Sequence, residues 1–119
     1  MDGRELERKV DLAFLSAFYG GLLTENQRRI LSLYCEEDYS LGEIAEVLGI
    51  SRQAAHESLN RASARLTEME RALGAAARFR RMHAELEDAL SALRGHDFTR
   101  VEQLLEDLLH QDQEDNDGL

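Results

Sequence analysis

The chain has 119 residues, 14 of them basic and 24 acidic, for a formal net charge of −10. It holds no proline, one cysteine and 6% aromatic residues, and its leucines and alanines recur at steps of three and four, which argues for an all-α protein of one-domain size. The single Cys35 excludes an intramolecular disulfide, no apolar run approaches the ~20 residues of a spanning helix, and Met1-Asp2-Gly3-Arg4-Glu5 lacks a basic-then-apolar leader. A soluble cytoplasmic protein without membrane insertion is expected.

In chain order, Leu6, Val10, Ala13, Phe14, Ala17 and Phe18 put an apolar face on a first helix that ends at Gly20-Gly21. Thr24 with Gln27 makes a capping box for a second helix, which buries Ile30, Leu31, Tyr34 and Cys35. After the polar link Glu36-Glu37-Asp38, two short amphipathic helices surround one tight turn. Ser40 and Glu43 form a second capping box; Leu41, Ile44, Ala45 and Leu48 form one stripe, with Ala45 small where two helices cross. Gly49 suits a left-handed helix end, Ile50 plugs the corner, and Ser51 caps the following helix. That pattern is a helix-turn-helix.

Beyond it, Ala55, Leu59, Ala62, Leu66, Met69, Leu73 and Ala76 alternate steps of four and three, so the helix runs on as a rod with a coiled-coil-like seam, a docking surface as much as a core. Near Gly74 the phase changes and a bend or break is expected, after which Phe79, Met82, Leu86, Leu90 and Leu93 define a new stripe ended by Gly95-His96-Asp97. Thr99 and Glu102 form a last capping box for a short C-terminal helix with Val101, Leu104, Leu105, Leu108 and Leu109 on its apolar side. The domain reading is a helix-turn-helix domain over 1–73, a helical extension that serves association over 74–110, and a disordered acidic tail over 111–119.

The run from Leu22 to Leu66 resembles the DNA-reading fourth region of bacterial sigma factors. It is more similar still to the YlxM-type helix-turn-helix family, whose hallmarks stand here as Phe18-Tyr19, Leu22-Leu23-Thr24, Asp38-Tyr39-Ser40-Leu41-Gly42-Glu43-Ile44-Ala45-Glu46 and Ser51-Arg52-Gln53-Ala54, over roughly residues 6 to 90. Family members are typically encoded beside components of the signal recognition particle. The resemblance therefore implies a sigma region 4-like bundle and a regulatory or accessory role in protein targeting, with signal recognition particle components as partners. Ala55 and His56 stand where the family usually offers a larger aliphatic and an aromatic residue, which implies lighter packing beneath the recognition helix.

If nucleic acid is bound, the helix starting at Ser51 enters the major groove with its N-terminal residues leading. The base-reading candidates are then Ser51, Arg52, Gln53, His56, Glu57 and Asn60, and Arg28, Arg29, Arg61 and Arg65 are candidate phosphate contacts. Charge is unevenly spread: residues 51–82 hold seven arginines against three glutamates, a net +4, whereas 83–119 hold eleven acids against two arginines, a net −9. Since the first motif helix carries Glu43 and Glu46 and no base, weak nonspecific DNA affinity follows. Arg78, Arg80 and Arg81 around Phe79 are candidates for docking RNA or a partner protein, and Tyr39 is the candidate exposed ring on which a base could stack. The acidic tail would compete with nucleic acid for the basic stretch.

No enzymatic constellation emerges. The histidines 56, 83, 96 and 110 are scattered, His83 with Glu87 reads as a surface pair, Cys35 as a packed thiol, and no nucleotide loop is present, so neither metal nor cofactor is expected. The long seam and Leu-rich last helix point to a homodimer, which would also space two recognition helices. The function expected is a regulatory helix-turn-helix protein of the targeting pathway. The alternatives are a sequence-specific DNA-binding transcription regulator unrelated to targeting, or a helical dimer that binds no DNA and docks on the particle's protein or RNA.

Overall fold

The computed structural model describes residues 3–117, without the side chains of 112 and 115–117. Among the described residues there are six α-helices and no strand: α1 (Gly3–Tyr19), α2 (Glu25–Leu31), α3 (Leu41–Leu48), α4 (Arg52–Leu73), α5 (Ala75–Arg94) and α6 (Phe98–Asp117). A 3₁₀ turn, Gly20–Leu22, joins α1 to α2, and a π-helical turn, Ser32–Glu36, extends α2. The chain divides into two compact units between Ala76 and Ala77.

Local chemistry starts the first unit's helices where the residues dictate. The Gln27 N–H donates to Thr24 Oγ1 at 3.1 Å, and the Thr24 N–H donates back to Gln27 Oε1 at 3.1 Å. Ser40 and Glu43 repeat this reciprocal arrangement at 3.1 and 3.2 Å. Each box satisfies two backbone donors that a helix start otherwise leaves orphaned. Gly49 ends α3 at φ +68°, the left-handed region that costs an L side chain roughly 1–2 kcal/mol. Gly74 ends α4 the same way at φ +64°, placing the break where the sequence changes phase.

The core of this unit is built around α4, whose Ala55, Leu59, Ala62 and Leu66 are almost wholly enclosed. Leu12 and Tyr19 of α1, Leu23 just after the 3₁₀ turn, Ile30 and Leu31 of α2, Tyr34, and Ile44 and Ala45 of α3 complete the cluster. The seam expected to serve docking is therefore spent inside the chain's own core from Ala55 to Leu66, and only Leu73 at its end is exposed. Ala55 is fully enclosed at 0% exposure.

The first helix departs from expectation. Leu6 and Val10 are 55% and 58% exposed, and Ala13 and Ala17 also face outward. The face turned inward is Lys9, Leu12 and Tyr19 instead. Tyr19 reaches across to the end of α4: its hydroxyl donates to Glu70 Oε1 and accepts from the Ala75 N–H at 3.0 Å, while Glu70 Oε1 also accepts from the Ala76 N–H at 3.0 Å. A tyrosine and a glutamate from elsewhere in the unit thus cap the start of α5, a service no local residue provides.

In the second unit α5 and α6 form a hairpin about the turn Gly95-His96-Asp97, closed by the Asp97 N–H donating to the Ala92 carbonyl at 2.9 Å. Ala89 and Leu104 are its buried residues, flanked along the same faces by Glu85, Ala92, Val101, Leu108 and Gln111, all partly sheltered. The cap of α6 is Asp97, whose Oδ1 accepts the Arg100 N–H at 3.1 Å, two residues before the expected Thr99 box. An aspartate immediately after a left-handed residue, His96 at φ +60°, is geometrically earlier and satisfies the orphan donors first. Asp97→Ala is expected to cost the unit about 1 kcal/mol and Thr99→Ala almost nothing, read from unfolding midpoints or from amide exchange in the first turn of α6. The C-terminal helix is also not short: it has 20 residues, and it carries the acidic segment expected to be disordered as far as Asp117. Residues 118 and 119 of that expected tail lie outside the described residues, as do Met1 and Asp2 of the expected non-leader start.

Candidate nucleic-acid interface

Between α3 and α4 the chain turns within three residues. The Ile50 N–H donates to the Ala45 carbonyl at 3.0 Å, closing the end of α3, and Ser51 Oγ accepts the Ala54 N–H at 3.0 Å, opening α4. Ile50 does not plug the corner, being 38% exposed; Leu41 and Leu48 do the packing there, against Ile44 and the core. The turn is held by backbone hydrogen bonds and a cap, so its own side chain is left outside.

One side of α4 buries Ala55, Leu59 and Ala62, and the other presents Arg52, Gln53, His56, Glu57 and Asn60, all exposed, with Ser51 at the lip. Two weak ties run along this open side: Gln53 Nε2 donates to Glu57 Oε1 at 3.5 Å, and Asn60 Nδ2 lies 3.5 Å from His56 Nε2. Both are at the limit of hydrogen bonding, so they release for little free energy when a ligand offers better geometry. Asn60 is held more firmly, its Oδ1 accepting from Arg8 Nη2 at 3.0 Å. Arg8 in turn lies over the Tyr34 ring, 5.8 Å from its centroid. Arg52, Gln53 and His56 line an open groove together with Leu41.

The basic candidates are distributed around this helix. Arg28 and Arg29, exposed in the last turn of α2, share a groove with Glu37 and Tyr39, and Arg61 shares another with Thr24, Asn26, Gln27, Ile30 and Ser58. Arg65 is exposed one turn beyond Arg61. Thus Arg52, Gln53 and His56 come together, whereas Arg28 and Arg29 and Arg61 flank them in separate clefts. Arg78, Arg80 and Arg81 belong to the second unit, where Arg78 is half-buried. On α3, Glu43 is occupied in its capping box and Glu46 is exposed, so this helix offers phosphate no cation.

The aromatic expectation reverses. Tyr39 is half-buried and packs on the core, while Phe98, at 62%, and Phe79, at 45%, are the more open rings. Sequence reading also missed the pair that steadies the link before α3. Lys9, 6% exposed, donates to Asp38 Oδ1, lies 3.9 Å from Glu5 and sits 4.7 Å from the Tyr34 ring centroid. Asp38 adopts φ +57°, which aspartate tolerates better than most residues. The Asp38 hydrogen bond raises the Lys9 ammonium above its ordinary value, overcoming the opposite push of burial. Twenty-nine positions separate the two, and no periodicity could mark them.

Elsewhere, burial pushes the half-buried Cys35 thiol up, so it is protonated and unreactive at neutral pH. His83 Nδ1 lies 3.0 Å from Glu87 Oε1 on an exposed face. Among the described residues no three His, Cys, Asp or Glu side chains converge as a metal site, and no helix is long and apolar enough to cross a membrane.

Comparison with known proteins agrees with this architecture. A family model described as "Putative helix-turn-helix protein, YlxM / p13 like" matches residues 6–108. A UPF0122 protein of Desulforamulus reducens is 42% identical over 83 residues, covering 70% of this chain and 71% of its own. One of Symbiobacterium thermophilum is 42% identical over 94 residues, covering 79% and 88%, and one of Acetivibrio thermocellus is 47% identical over 74 residues, covering 62% and 63%. With a matching helix-turn-helix placed by two caps and a left-handed glycine, the chain belongs to the YlxM/p13-like helix-turn-helix family.

Proposed function

We propose that the first unit is a nucleic-acid-binding module and that the protein acts as a regulatory component of the signal recognition particle pathway. One observation carries the binding reading: α4 turns Ala55, Leu59, Ala62 and Leu66 into the core and leaves Arg52, Gln53, His56, Glu57 and Asn60 exposed in register behind the Ser51 cap. Side chains on the first turns of such a helix reach base edges when it lies in a major groove. Arg52 supplies the fork that pairs with guanine, Gln53 the amide that pairs with adenine, and Arg28, Arg29, Arg61 and Arg65 serve phosphate.

Duplex selection from random sequence, followed by anisotropy titrations, tests this. Arg52→Ala with Gln53→Ala is expected to weaken the selected duplex at least ten-fold while leaving the unfolding midpoint unchanged, since both side chains are exposed and a good bidentate contact is worth about 1–3 kcal/mol. Binding indifferent to both changes rejects the module. The placement in targeting follows the family's gene neighbourhood, and recovery of the particle's protein or RNA from untreated lysate, compared with the same pull-down after nuclease treatment, is the expected result.

A second reading is favoured by the acidity of α3 and of the chain. In it the motif is a reused scaffold, and Arg78, Arg80 and Arg81 dock the particle's protein or RNA directly. Reversal of these three charges then abolishes co-purification, whereas Arg52→Ala with Gln53→Ala leaves it intact.

A further inference from the structure

In the hairpin of α5 and α6 each helix shelters one stripe and leaves a second apolar stripe open. Ala89 and Ala92 lie on the sheltered side of α5, but Met82, Leu86, Leu90 and Leu93, a quarter turn around the helix, are 38–46% exposed. On α6, Leu104 is buried and Leu105 and Leu109, again a quarter turn around in the same sense, are 42% and 72% exposed. In two antiparallel helices whose sheltered sides face each other, equal offsets of the same sense place both stripes on one side of the hairpin. With Phe98, 62% exposed at the turn end, this makes one continuous apolar face in place of the scattered single apolar side chains a monomer ordinarily leaves open.

We propose that a second copy of this chain covers that face, the two hairpins stacking about a twofold axis parallel to the helices as a four-helix bundle, with α5 of each copy against α6 of the other. Charge selects both the partner and the arrangement. The α5 segment carries four arginines against three acids, a net +1, and α6 carries one arginine against seven acids, a net −6. Laying α6 on α6 would set two strongly acidic helices side by side, whereas α5 on α6 sets Arg94 near Glu102 along the rim. The hairpin is thereby its own complement, and all neighbours in the bundle run antiparallel, the usual arrangement for short connections. This assigns association to the hairpin and not to the seam of α4, and it stands independently of nucleic-acid binding.

Sedimentation equilibrium of the full chain at micromolar concentration is expected to give twice the 13.5 kDa chain mass. The double variant Leu86→Glu with Leu90→Glu should sediment as a monomer with undiminished helical circular dichroism. A monomeric natural chain, or a variant that stays dimeric, overturns the proposal. For the arrangement, Leu86→Cys and Leu105→Cys chains, each also carrying Cys35→Ser, are mixed and oxidised. Disulfides joining one variant to the other support α5 on α6; disulfides formed only between identical variants overturn it.

Discussion

Ile44→Ala is expected to lower the stability of the first unit by about 3 kcal/mol, while Val47→Ala, three residues further along the same helix, changes it by less than ~0.5 kcal/mol. Ile44 has 0% of its surface exposed and Val47 46%, so the two substitutions remove similar side chains from opposite environments. Truncating Ile44 loses its transfer free energy and leaves a cavity that α3 cannot collapse into, because the helix is pinned at both ends by the Ser40 box and the Gly49 turn. Truncating Val47 exposes nothing and exchanges a β-branched residue for the best helix former. Against a typical total of about 5–15 kcal/mol, the Ile44 loss is a large fraction, and it falls on the helix that sets the angle of α4. Chemical denaturation of both variants checks this, and equal midpoints would mean that α3 is not docked through Ile44. Nucleic-acid affinity should drop with Ile44→Ala only where the folded fraction does.

The second large effect concerns the Lys9 pair. Asp38→Ala is expected to cost about 1–2 kcal/mol, because it removes the main hydrogen-bond partner of a lysine whose side chain is 7% exposed, from a carboxylate that itself faces solvent. It also places alanine at a left-handed φ. Asp38→Asn keeps an acceptor and tolerates that φ, so its cost should be nearer 1 kcal/mol, and Lys9→Met in the Asp38→Ala background should recover part of the loss. A double variant as unstable as the sum of its single ones would mean that the pair is not coupled.

The pH dependence follows from the same groups. Lys9 is raised above its ordinary 10.5 by the Asp38 hydrogen bond, and Tyr19 is raised above its ordinary 10.0 by burial first and by the Glu70 hydrogen bond second. A raised value means that the folded state holds the proton longer than the unfolded one. This stabilisation is complete below the unfolded values near pH 10 and is lost as pH rises through the higher folded ones. Melting temperature should therefore hold to about pH 9.5 and fall beyond it, and Tyr19→Phe should make the fall shallower while lowering stability at neutral pH by roughly 1–3 kcal/mol.

These features differ in how far the sequence discloses them. The boxes at Thr24 and Ser40, the left-handed ends at Gly49 and Gly74, and the cap at Ser51 are interactions between residues no more than four apart, so residue type and spacing specify them completely. With the inward stripe of α3, they make the helix-turn-helix and the exposed side of α4 legible from residue order alone. Wherever a segment offers two apolar faces, or a cap and a rival one, spacing alone does not choose. On α1 the stripe through Leu6 and Val10 is the more apolar, yet the inward face is that of Lys9, Leu12 and Tyr19. There Tyr19 meets Glu70 and the first residues of α5, and Lys9 meets Asp38. On α5 the small Ala89 is enclosed while the leucine stripe stays open. Local hydrogen bonding, resolved within one turn of chain, was the sequence's to determine; the burial of one face over another, settled between residues tens of positions apart, belonged to the tertiary structure.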